Sequence, residues 1–217
     1  MVVALAVITG LVALVDWWSV RRARADIERV AKPLTMVGLI AVAEAAGAGD
    51  HAAGIWLLIA LFFGMLGDVA LLGNTSARFL SGVGMFLVGH LAYVVCFVTL
   101  GLAHPGWSWA CLAVLVGMLV VTRDVVPSAF RLGGAAVAGP VGLYSLVIGA
   151  MLVTAWLTGA PLIAAGALVF VVSDSIIGLS LARKGFGGPQ GTAHVVVMVT
   201  YHLGQALIAA GVLHALA

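Results

Sequence analysis

The sequence predicts an all-α fold: a polytopic bundle of eight transmembrane helices forming one domain over residues 1–217. Three observations predict it. Hydrophobic residues make up 64% of the chain and charged residues only 8%, with a mean hydropathy of +1.23. Apolar runs recur at the length of about 20 residues that a bilayer crossing requires. The basic residues fall only in alternate connections between those runs. Soluble domains carry about 25% charged residues, so a soluble globule is excluded. The formal net charge of +2 gives no indication of a nucleic-acid partner.

The first run, MVVALAVITGLVALVDWWSVRRAR, has no basic residue before its apolar core and its arginines after it. A secretory signal has the reverse order, so residues 2–20 are read as a first span with the N-terminus outside. The following spans fall at about 33–49, 53–72, 79–102, 107–123, 135–158, 161–182 and 192–215. Arg21, Arg22, Arg24, Arg29 and Lys32 lie between the first two spans, and Arg78 lies between the third and fourth. Arg123 and Arg131 lie between the fifth and sixth, Arg183 and Lys184 between the last two. Because positive charge is retained on the cytoplasmic side, both termini are expected outside and these connections inside. Trp56, Trp107, Trp109 and Trp156 near the outer ends, and Trp17 and Trp18 near the inner, fit interfacial belts. The 28 glycines suit close helix packing through small residues. Cys96 and Cys111 lie in apolar runs and are read as small packing residues.

Matched offsets suggest a parallel four-helix internal repeat. Asp16 and Asp124, Pro33 and Pro140, and Asp68 and Asp174 are separated by 108, 107 and 106 residues. Parallel repeats of this kind occur in transporters, although three such matches also arise by chance.

Ionisable side chains inside a span cost about 2.5–3.5 kcal/mol on insertion scales and normally face the bundle interior. Asp16, Asp26, Glu28, Glu44, Asp50 and Asp124 are read as solvated residues of helix ends and loops. Asp68 and Asp174 are not so explained. At 1.5 Å per residue they lie roughly 6 and 12 Å from the inner ends of the third and seventh spans. His90, Tyr93, Tyr144, Tyr201, His202 and Gln205 reach similar depths, and Tyr201 and Gln205 share a helix face at i, i+4. Two acids and several polar groups thus converge in the cytoplasmic half of one bundle, with Lys32, just before Pro33, at its rim. Taken singly, each has a plain packing role: Asp68 is shallow enough to be interfacial, a buried histidine is commonly structural, and a tyrosine packs with a polar handle. The serines Ser173 and Ser175 can hydrogen-bond the preceding turn.

Two features do not carry chemistry. GFGGPQG at 185–191 lacks the GxGxxG spacing and a preceding strand, and is read as an inner loop. His194 and His202, eight residues apart, diverge by about 80° around a helix and make no close metal-binding face. No metal site is therefore expected.

Five motifs in order extend the reading. KPLTM at 32–36, GDVALL at 67–72, FLVGHLAY at 86–93, GALVFVVSD at 166–174 and YHLGQALI at 201–208 are arranged as in YhhN-like membrane proteins, which the chain resembles over nearly its whole length. That family includes lysoplasmalogenases, hydrolases of the vinyl-ether bond that yield a fatty aldehyde and a glycerophospho-base. The resemblance implies Asp68 and Asp174 as catalytic acids, with Lys32, His90, Tyr93, Tyr144, Ser173, Tyr201 and Gln205 lining the pocket. It implies a lysophospholipid substrate and water as partners, a setting among membrane lipids in a bacterial cytoplasmic membrane, and no metal or organic cofactor. The chemistry is compatible: two acids sharing one low-dielectric site do not both ionise, so the pair supplies a proton donor and a carboxylate. Either acid can be the donor at this stage. The competing reading is a proton-coupled transporter that uses the two acids as a relay.

Overall fold

The computed structural model describes residues 1–104, 106 and 108–217. Trp107, expected in an interfacial belt, and the side chain of Cys111 lie outside what is described. Among the described residues there are nine α-helices and no strand: α1 Val2–Arg21, α2 Ala25–Ala45, α3 Ala52–Leu71, α4 Ser76–Leu100, α5 Ser108–Thr122, α6 Val125–Gly133, α7 Ala135–Leu157, α8 Pro161–Lys184 and α9 Thr192–Leu216. Six of these, α1, α3, α4, α7, α8 and α9, are long and apolar enough to cross a membrane, and the protein is an integral membrane protein. The two remaining expected spans coincide with α2, which begins with Asp26, Glu28, Arg29 and Lys32 before its apolar part, and α5, which has 15 residues.

Two details of the chain differ from expectation. The second helix begins at Ala25, not at Pro33, so Pro33 lies inside it and Lys32 is eight residues into the helix. Asp26 and Glu28 in the first turn suit the positive end of the helix dipole there. The connection expected after the fifth span contains α6, whose axis bends 43° from residues 112–120. One face of α6 is apolar: Val125 and Ala129 are buried against Val137, Val141 and Leu181. On α6 the guanidinium of Arg131 donates to Ser128 Oγ at 2.6 Å.

Consecutive helices with short connections pack as antiparallel pairs, α1 on α2, α3 on α4, and α8 on α9, while α9 also touches α1, α2 and α3. The α8–α9 contact is close because small residues face each other across it. A Cβ on Gly166 would lie 2.7 Å from Ile208 N, and one on Gly204 would lie 3.0 Å from both Gly166 O and Phe170 N. Without an aqueous hydrophobic drive, close packing of this type is what holds membrane helices together. The buried core it joins includes Leu57, Leu61, Phe97, Met151, Phe170 and Ile208. The two halves implied by the repeat differ in detail, since Asp16 is fully buried whereas the Asp124 side chain is 74% exposed beside Arg123.

Candidate active site

The apolar faces of α3 and α9 turn their polar residues into one place. Gly64, Gly67 and Asp68 all lie on the buried face of α3. Gly64 leaves room for α9, since a Cβ there would stand 3.1 Å from Gln205 Nε2. Asp68 is 1% exposed and has two partners. Lys32 Nζ lies 3.2 Å from Oδ1, and the Tyr201 hydroxyl donates to Oδ2 at 2.8 Å. A carboxylate this deep is tolerated when paired and hydrogen-bonded, and both conditions hold. Lys32 is itself 6% exposed. It is therefore not at the rim, as its position before Pro33 suggests, but inside, because the helix starts two turns earlier.

The hydrogen bonds continue away from Asp68. Gln205 Nε2 donates to the Tyr201 oxygen at 3.4 Å, and the Tyr93 hydroxyl donates to Gln205 Oε1. Every donor in this series points toward Asp68, the orientation that a carboxylate at its end favours. The chain Tyr93, Gln205, Tyr201, Asp68, Lys32 links α4, α9, α3 and α2.

Asp174 on α8 has different surroundings. The Tyr144 hydroxyl of α7 donates to its Oδ2, and no cationic side chain pairs with it among the described residues. Asp68 and Asp174 nevertheless line one cavity of about 560 Å³, along with Lys32, Ser173 and Tyr201. It opens at the basic helix ends, where Ala23, Asn74 and the loop 185–191 form its mouth. Glu28 and His194 also line this vestibule, 3.1 Å apart. A smaller cavity of about 90 Å³ lies between α4, α5, α6, α7 and α8, and Asp174, Leu71, Phe79, Phe86 and Ile177 line both.

Of the other expected site residues, Ser173 is part of the cavity wall and the rest fall behind it. Ser173 Oγ donates to Val197 O at 3.1 Å and so ties α8 to α9. His90, Tyr93 and Gln205 are buried and are not among the residues lining either cavity. His90 Nδ1 lies 2.6 Å from Phe86 O; a carbonyl only accepts, so this nitrogen carries the hydrogen. Its ring stands edge-on to Phe170 and Tyr144, with centroids at 4.8 and 5.3 Å. That environment packs Tyr144 against α4 and leaves His90 without access to the cavity.

A second polar cluster escaped the sequence reading. Asp16, expected to be solvated at a helix end, is 0% exposed, and its Oδ2 lies 3.9 Å from His202 Nδ1. Trp17 Nε1 donates to that same nitrogen at 3.1 Å, so Trp17 faces inward rather than into an interfacial belt. The one signal in the sequence was angular: His202 is about 100° around α9 from Tyr201 and must face a different helix.

Buried acids, a polar mouth and an apolar recess within a helical membrane bundle define a membrane protein whose site is reached from the basic helix ends. Residues 27–212 match the YhhN family, and the chain belongs to it. It is similar to lysoplasmalogenase TMEM86A from Bos taurus, with 29% identity over 175 residues covering 73% of this chain. The match spans 65% of that relative's length. No solved structure matches.

Proposed function

We propose that the protein is a membrane-embedded hydrolase that cleaves the vinyl-ether bond of lysoplasmalogens, releasing a fatty aldehyde and glycerophosphoethanolamine or glycerophosphocholine. The observation that carries this reading is the unequal pair of acids on one cavity: Asp68 matched by a lysine, Asp174 by a phenol alone. Family membership and the similarity to a lysoplasmalogenase supply the substrate class.

The asymmetry assigns roles. Asp68, held by Lys32 and Tyr201, is the carboxylate; Asp174, with no cation beside it among the described residues, is the proton donor. Asp174 protonates the vinyl carbon β to the ether oxygen, forming an oxocarbenium ion. The Asp68 carboxylate stabilises that cation and accepts a proton from the water that attacks it. The resulting hemiacetal then breaks its bond to the glycerol oxygen. That oxygen leaves with a proton from Asp68, while the hemiacetal hydroxyl returns its proton to Asp174, so both acids regain their starting states. Protons, water and products balance, and no cofactor enters any step.

The alternating basic connections support an arrangement of eight spans, with α2 and α5 added to the six and α6 as an interfacial helix. Both termini are then outside, with the vestibule open to the cytoplasm. The deciding experiment follows aldehyde release from lysoplasmalogen by the purified protein. Turnover is expected, with Asp68→Asn and Asp174→Asn each reducing it by about 10²–10⁴-fold. Folded protein that releases no aldehyde refutes the activity. Either variant with turnover near that of the native protein refutes the two-acid mechanism.

A further inference from the structure

The smaller cavity is a recess with one polar point. Four hydroxyl side chains line it, and three of them are satisfied within their own helices. Thr122 donates to Met118 O at 2.7 Å, Ser145 to Val141 O at 2.9 Å, and Ser175 to Val171 O at 2.8 Å. Hydroxyls bonded back to the preceding turn have given up their donor, so the wall they leave is effectively apolar. The exception is where Tyr144 meets Asp174, and there the recess shares its lining with the vestibule. The vestibule, by contrast, presents Lys32, Arg29, Asn74, Gln190 and the Glu28–His194 pair. A molecule fitting both spaces has a polar head, an apolar tail and its reacting atoms where the two join.

We infer that the recess is the binding site for the hydrocarbon chain of a single-chain lipid, seated with its first carbons at Asp174, and that Met118 and Ile148 at the deep end set the chain length accepted. The choice of ligand rests on the ether-lipid reading above. Direction along the helices supports the assignment of the deep end. Ile148 is one turn beyond Tyr144 on α7, Met118 one turn before Thr122 on α5, and Val171 nearly one turn before Asp174 on α8. All three lie on the side of Asp174 away from the vestibule. Gly178, near the mouth, keeps the recess open, because a Cβ there would stand 3.3 Å from Val125 Cγ2.

Two measurements test the site. The first uses a non-hydrolysable lysophospholipid with a saturated ether link and a photoreactive diazirine at the chain terminus, added to the native protein and mapped by mass spectrometry. Label is expected on α5 and α7 around Met118 and Ile148, and unlabelled lysophospholipid should compete it away. Label confined to vestibule residues, or not competed, overturns the inference. The second compares long-chain and short-chain vinyl ethers carrying the same head group. Ile148→Trp, or Met118→Trp at a half-buried position, should lower kcat/KM for the long substrate by about tenfold or more and spare the short one. An equal loss for both lengths in folded protein overturns the inference. If the native protein cleaves no vinyl ether, the proposed function fails and the labelling experiment alone judges the recess.

Discussion

Asp68 shows how much depends on its partners. Removing Lys32 leaves a buried carboxylate without its cation, and breaking such a pair costs about 3–5 kcal/mol. Lys32→Met is therefore expected to lower the thermal unfolding midpoint sharply in detergent. Lys32→Met combined with Asp68→Asn should recover much of that loss without recovering turnover. A Lys32→Met protein as stable as the native one would show that the ion pair is not formed. Tyr201→Phe should cost about 1–3 kcal/mol, because it strips a donor from Asp68 and an acceptor from Gln205. Much of this was legible in the sequence. An acid in an apolar run has to find polar partners, and Tyr201 and Gln205 at i, i+4 were a natural source of them. Lys32 as the buried counter-ion was not legible, because proline is favoured in the first turn of a helix and disfavoured inside one, so Pro33 marks a helix start that the chain places at Ala25 instead. Asp16 was not legible either: an acid near a helix end is ordinarily solvated, and only the packing of α9 against α1 encloses it.

The α8–α9 pair carries the most specific prediction among the elements. Gly204→Val must displace the α8 backbone at Gly166 and Phe170, and overpacking of this kind typically costs about 1–3 kcal/mol. Because Tyr201 and Gln205 ride on α9, the same substitution should lower turnover more than its loss of stability explains. Parallel unfolding and activity measurements check this, and loss of stability with unchanged turnover in the folded fraction would separate the packing from the site. Helix positions were readable from the apolar runs, since each expected span has a helix at its place. The helix α6 was not readable. VVPSAFRLG is a short segment with a proline near its start, and only burial of Val125 and Ala129 against α7 and α8 gives it a reason to coil. The bundle also decides which glycines matter, because the sequence alone does not say which helices meet at them.

For the whole molecule, the ends of the bundle are joined where α2 meets α9. Burial raises the Glu28 carboxyl, but the hydrogen bond and charge of His194 outweigh it and hold the group below the ordinary glutamate range. A carboxyl lowered by folding adds stability that is complete above its unfolded value, about 4.3, and is lost as pH falls through the folded value. Acidification below that point should therefore loosen the native protein more than the His194→Gln variant, as read by unfolding midpoints across an acid series. Equal acid sensitivity would show that the pair contributes nothing. The proposed orientation is tested separately: a cysteine placed by Asn74→Cys or Gln190→Cys should react with an impermeant thiol reagent only from the cytoplasmic face. The arginines supply the orientation as a proposal for that experiment, whereas the division of the interior into a polar vestibule and an apolar recess required the packed bundle. The series from Tyr93 to Lys32 has a consequence at this scale too. Its oriented O–H and N–H dipoles all present their positive ends to Asp68. The protein has thus assembled, from side chains of four helices, the electrostatic counterpart of a helix amino terminus, with no backbone to enforce its direction. A backbone terminus keeps its polarity whatever the sequence; this one reverses locally if a single amide is turned. Gln205 is accordingly the residue whose orientation sets the direction of the hydrogen bonds behind Tyr201, while the Lys32 ammonium and the Tyr201 hydroxyl keep the field at the carboxylate positive.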